Sequence, residues 1–132
     1  MESPALSRSI LIVEDNADAR EALRMLLELD GHTVEAAAEG AEALEIMRAK
    51  DPDIALVDIG LPGIDGYEVA RRVRERDPRR PLLIALTGYG QPEDKRRATD
   101  AGFDSLLVKP VDPAALADLL VSLEIPGRAS RG

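Results

Sequence analysis

Cysteine and tryptophan are absent from this chain, and its 132 positions hold only three aromatic residues, Tyr67, Tyr89 and Phe103. Without cysteine there are no disulfides and no thiolate metal sites. The scarcity of rings removes the stacking platform that single-stranded nucleic acid needs, and it obliges the core to be aliphatic. No apolar run approaches the roughly 20 residues that span a bilayer. The opening Met1, Glu2, Ser3 and Pro4 has neither the basic nor the apolar stretch of a signal peptide. Positive charge is short as well: the formal net charge is -8, which repels nucleic acid and anionic lipid at long range. The expectation is a soluble cytoplasmic protein that binds neither nucleic acid nor membrane.

What the chain does have is a 45% hydrophobic content, enough for one sizeable core. Much of it falls into short runs that each end in polar groups. Ile10 to Val13 runs into Glu14 and Asp15, and Ile54 to Val57 into Asp58. Leu82 to Leu86 runs into Thr87, and Leu106 to Val108 into Lys109. Such runs read as buried strands delivering side chains to the edge of a sheet.

Strands are expected at residues 9–13, 32–37, 53–58, 81–87 and 105–108. Between them lie helical patterns at 16–30, 41–50, 67–76 and from 91 to about 101, with a last helix opening at Asp112 and Pro113. Residues 32–37 alternate weakly, with Val34 and Ala36 set against Thr33 and Glu35, which suits an edge strand. Asp65 followed by Glu68 has the spacing of a capping box. The fourth helix has little to bury, Ala98 and Ala101, whereas Leu116, Leu119, Leu120 and Leu123 make a strong inward stripe on the last. One domain over residues 9–124 is expected, between a flexible leader, 1–8, and a flexible tail, 125–132.

Strict strand–helix alternation implies an α/β fold, (βα)5, with a doubly wound parallel five-stranded sheet. In such sheets ligands bind outside the carboxyl ends of the strands, where the strand order reverses. Each polar strand end has an ordinary explanation taken singly: a solvated acid, a turn starter, a hydroxyl closing a turn, a surface lysine. Flavodoxin-like strand order 2-1-3-4-5 brings them together. Strands 1 and 3 become neighbours, and Glu14, Asp15 and Asp58 crowd into a pocket about 5 Å across. Three carboxylates that close repel one another unless one takes a proton or a cation joins them. Oxygen ligands at an open site suit Mg²⁺, which keeps waters and pairs with phosphate groups. With Lys109 and Thr87 arriving from strands 5 and 4, the pattern suits phosphoryl transfer onto a carboxylate.

These residues resemble the receiver domains of bacterial two-component response regulators. The resemblance covers residues 9 to about 124 and rests on four motifs in order. They are Val13, Glu14, Asp15 and Asn16; Val57 and Asp58 through Gly60, Leu61, Pro62 and Gly63 to Asp65 and Gly66; Ala85, Leu86, Thr87 and Gly88; and Val108, Lys109 and Pro110. The resemblance implies that Asp58 is the phospho-acceptor. Mg²⁺, with Mn²⁺ as an alternative, would be held by Glu14, Asp15, Asp58 and the backbone carbonyl of Gly60. Thr87 and Lys109 would bind the phosphoryl group, and the Lys109–Pro110 peptide would be cis. A histidine kinase or histidine phosphotransfer domain would dock on Asn16, Ala19, Ala22 and Pro110, and a further protein downstream would read the state. The chain would be either a stand-alone regulator or the receiver of a hybrid sensor kinase.

Two positions depart from the family's common pattern. Three residues before the lysine, where a Tyr or Phe often sits, this chain has Leu106, which has no hydroxyl to expose and cannot act as an amphipathic toggle. Two residues past Asp58 stands Gly60, and two past Thr87 stands Tyr89, positions that flank the route of water to a phosphoryl group. An aspartyl-phosphate phosphatase is the competing reading, but Gly60 occupies the place where such enzymes carry a second carboxylate. A phosphorylation-independent interaction module is the third, and it leaves the retained acids and Lys109 without a purpose.

Overall fold

The computed structural model describes residues 7–88 and 90–123. Five strands and five helices alternate: β1 (Ser9–Val13), α1 (Ala17–Leu29), β2 (Thr33–Ala37), α2 (Gly40–Lys50), β3 (Ile54–Asp58), α3 (Gly66–Arg76), β4 (Leu82–Thr87), α4 (Pro92–Ala101), β5 (Ser105–Val108) and α5 (Pro113–Ser122). The strands form one parallel sheet in the order β2-β1-β3-β4-β5, the expected doubly wound architecture. Parallel neighbours need crossovers, and the helices serve as those crossovers while covering both faces of the sheet.

Each strand supplies the two faces alternately. Leu11, Val13, Ala55, Val57, Leu83 and Ala85 pack in one cluster with buried residues of α2, α3 and α4. Ile10, Ile12, Ile54, Leu56, Ile84 and Leu86 pack in the other with Leu23 and Leu27 of α1 and Leu116 and Leu120 of α5. The central strands therefore read as unbroken apolar runs because neither face meets water. The edge strand β2 differs from its expected pattern. Val34 and Ala37 are its buried residues, while Ala36 is only half-buried, because α1 and α2 cover opposite faces of the same strand.

Helix ends follow local chemistry. Asn16 caps α1 by accepting from the Ala19 amide at 2.8 Å, and Gly31 takes the left-handed turn beyond it at φ 92°. Asp65 caps α3 by accepting from the Glu68 amide at 2.9 Å. The expected return bond is not made, because the Glu68 carboxylate is drawn to Arg71 and Arg72 one turn on. The reciprocal box occurs instead at α4, between Gln91 and Asp94. Only Ala98 and Ala101 are buried on α4, so its anchorage is light. Arg97 adds a cation–π contact, 4.2 Å above the Tyr67 ring. The Lys109–Pro110 peptide is cis, and so is Arg80–Pro81.

Ser7 and Arg8, expected in a flexible leader, are tied to the fold. Ser7 Oγ donates to the Gly31 carbonyl at 2.8 Å and the Arg8 amide to His32 Nδ1 at 3.1 Å. The Arg8 guanidinium reaches the Leu123 carbonyl at the end of α5. The rest of the expected leader, the tail 125–132 and Tyr89 lie outside the described residues. Among the described residues no helix is long and apolar enough to cross a membrane.

Candidate functional site

The register of the sheet builds the site. Val13 lies beside Val57 in the β1–β3 ladder, so Glu14, the next residue, comes level with Asp58. Leu86 pairs with Asp58 and Val108 with Thr87, which carries Thr87 and Lys109 to the same end of the sheet. All the expected chemistry meets at these carboxyl ends.

Glu14, Asp15 and Asp58 each offer a carboxylate oxygen, and these oxygens lie within 4.8 Å of one another. Glu14 is 1% exposed and Asp58 6%, whereas Asp15 faces solvent. Lys109 Nζ lies 3.1 Å from Glu14 Oε1 and 3.1 Å from Asp58 Oδ2, bridging the two buried acids. The other Asp58 oxygen accepts the Gly60 amide at 2.9 Å, and the other Glu14 oxygen accepts the Asn16 amide at 3.1 Å. Each buried acid thus has one ammonium and one backbone donor. Arg20, in the first turn of α1, also donates to the Glu14 carbonyl at 2.8 Å. No helical periodicity marks that role, which arises from a polar contact between a strand end and the next helix.

The electrostatics are unbalanced. Burial raises the Glu14 pKa above its ordinary 4.5, with the Asp58 charge adding to the effect, while the Asn16 amide and Lys109 oppose it. Lys109 moves upward too: burial pulls it down, but the hydrogen bonds to Glu14 and Asp58 outweigh that. With all groups ionised, three carboxylates face one ammonium. The residual negative charge, on hard oxygen ligands with one carboxylate exposed, fits a divalent cation.

The remaining expected residues take different places. Thr87 is buried at the end of β4, and its carbonyl accepts the Lys109 amide at 2.7 Å. Gly60 is exposed, and among the described residues a Cβ added there would meet Asp58 Oδ1 at 3.7 Å, an ordinary contact. Asn16, Ala22 and Pro110 are exposed and Ala19 half-buried. Leu106 packs against the α2–α4 side of the core, as an aliphatic side chain should.

A family model for the response regulator receiver domain matches residues 10–121. This chain belongs to that family. A curated relative from Leptolyngbya boryana, an uncharacterized 14.6 kDa protein, is 40% identical over 84% of this chain and 86% of its own length. The transcriptional regulatory protein AfsQ1 of Streptomyces coelicolor is 39% identical over 82% of this chain. The alignment takes in only 47% of AfsQ1, so the receiver domain spans about half the length of that relative. Among solved structures, a CheY-like receiver domain from Methanospirillum hungatei JF-1 aligns with a TM-score of 0.80 at 31% identity, covering 88% of this chain and 92% of its own. The receiver domain of Saccharomyces cerevisiae Ssk1, solved with the histidine phosphotransfer protein Ypd1, aligns with a TM-score of 0.82 at 27% identity over 89% of this chain and 90% of its own.

Proposed function

We propose that this receiver domain accepts a phosphoryl group on Asp58 from the phosphohistidine of a kinase or phosphotransfer protein, in the cytoplasm. The observation that carries the reading is the carboxylate cluster around Asp58, where Glu14, Asp15 and Asp58 stand together and Lys109 bridges the two buried acids. Glu14, Asp15, Asp58 and the Gly60 carbonyl would hold Mg²⁺, which when bound supplies charge neutralisation for an anion approaching an anion.

The chain's own groups account for the rest. The Gly60 amide and Lys109 fix the two Asp58 oxygens, so the carboxylate needs little reorganisation before it attacks phosphorus. As the new O–P bond forms, the bond from phosphorus to the imidazole nitrogen breaks and the nitrogen keeps the electron pair. Lys109 would then turn from the phosphorylated carboxylate toward the phosphoryl oxygens, and the Thr87 hydroxyl would donate to another of them. The added charge would draw the β4–α4 loop inward and shift the population of lightly anchored α4 conformers. A downstream protein would read that shift. Asn16, Ala19, Ala22 and Pro110 would form the docking surface for the phosphodonor. The Ssk1 receiver domain crystallised with Ypd1 is consistent with a partner of this kind.

The test is an intact-mass measurement after incubation with Mg²⁺ and acetyl phosphate. A phosphoryl adduct is expected in the parent and not in Asp58→Asn. An adduct that survives the substitution would overturn the assignment.

A further inference from the structure

The loop that follows Asp58 returns at once to the strand it left. Gly66, the first residue of α3, donates its amide to the Ile59 carbonyl at 3.1 Å. Its Cα sits so near the main chain that a Cβ there would stand 2.5 Å from the Asp58 carbonyl oxygen and 2.7 Å from Ile59 Cα. Both are backbone atoms, so no side-chain rotation can relieve the overlap. On the other side, the Ile59 amide is bonded to Leu86 of β4 at 2.9 Å, and the Asp58 main chain cannot retreat without breaking the sheet.

We infer that Gly66 is a positioning residue for the candidate site: its bare Cα lets the first turn of α3 brace Asp58 and Ile59 from behind. That contact fixes the Asp58 carboxylate and the Gly60 amide and carbonyl relative to Glu14 and Lys109. The inference rests on Asp58 being the acceptor, but it concerns how the carboxylate is held. Any side chain at residue 66 must push the helix start outward or move the 59–65 loop. The Gly60 amide of that loop donates to Asp58 Oδ1 at 2.9 Å, so the displacement reaches the carboxylate directly.

Gly102 supplies a matched control. It ends α4 with a positive φ of 114°, and a Cβ there would run into Arg74 Cγ, far from the acids. Gly66→Ala and Gly102→Ala should both lower the melting temperature. Only Gly66→Ala should shift the Gly60 amide resonance, weaken Mg²⁺ binding about tenfold and slow adduct formation from acetyl phosphate by about tenfold or more. A Gly66→Ala protein with the parental Gly60 resonance and Mg²⁺ affinity would overturn the inference. So would Gly102→Ala losing as much of either at an equal melting temperature. Should Gly66→Ala fail to fold, amide exchange in the parent decides: Mg²⁺ should slow exchange at Gly66 and Gly60 together, and protection of Gly60 alone would overturn the brace. If the parent gains no adduct that Asp58→Asn lacks, the acceptor assignment fails, while the resonance and Mg²⁺ readouts still judge the role of Gly66.

Discussion

Two buried aspartates stand at opposite ends of the same strand. Asp53 precedes the first residue of β3 and is 4% exposed; Asp58 is its last and is 6% exposed. Each accepts one backbone amide at 2.9 Å, from Ser9 and from Gly60. Each also faces a cation: Arg80 lies 3.6 Å from Asp53 and Lys109 3.1 Å from Asp58. Their surroundings decide what each can do. Asp53 also uses its main chain, donating to Ser9 and accepting from Leu82, so it ties the starts of β1, β3 and β4 together. Arg80 also faces the exposed Asp51, and its amide donates to the Asp77 carboxylate. Asp58 instead shares Lys109 with an acid as buried as itself, has Asp15 close by, and is flanked by a glycine that leaves it open. A buried acid whose side chain and main chain tie strand ends together is a fastener, and one that shares its lysine with a second buried acid beside an open flank is a candidate reactive site.

That contrast can be broken at either end. The largest effect is expected from Asp58→Asn, which removes the acceptor and with it the adduct, yet should hold or raise the melting temperature because it relieves repulsion among the acids. Asp53→Ala should do the reverse. It removes the buried carboxylate that faces Arg80 and accepts the Ser9 amide and should cost about 3 kcal/mol in urea unfolding, while the folded protein still takes up a phosphoryl group at Asp58. If Asp53→Ala were neutral for stability, or abolished the adduct in a folded protein, the two aspartates would not be the distinct devices described.

Smaller effects sharpen the picture at the site end. Folding raises the Glu14 pKa, so the folded state holds this proton more tightly than the unfolded chain. In metal-free protein its contribution to stability is therefore greatest below 4.5 and is lost as pH rises from there through the raised folded value. The associated slope cannot exceed about 1.4 kcal/mol per pH unit. Glu14→Gln should remove it, as followed by melting temperature across that window without Mg²⁺. The least effect is expected from Gly60→Arg. The exposed position has room for a side chain, which should obstruct water and slow loss of the phosphoryl group about threefold, measured as the decay of the intact-mass adduct.

Much of the architecture was legible in the sequence because its causes are local. The apolar runs and the Asp65 cap place the elements to within a residue or two, and strict alternation of the two element types leaves few topologies open. Where local reading erred, a neighbour in space had intervened. Arg71 and Arg72 took the Glu68 carboxylate from its expected cap, two helix layers buried opposite faces of β2, and Arg8 found the end of α5.

The candidate site divides in the same way. The sequence by itself determined that Glu14, Asp15, Asp58, Thr87 and Lys109 end their strands, because a short buried run must stop where polar groups begin. Only the tertiary structure decided how those ends meet. Lys109 bridges residues 95 and 51 positions away, Asp53 proved to be the enclosed counterpart of Asp58, and Gly66 came within touching distance of the Asp58 main chain. Burial, charge balance and close approach belong to pairs of residues set side by side by strand register and helix docking, and no single stretch of chain contains them.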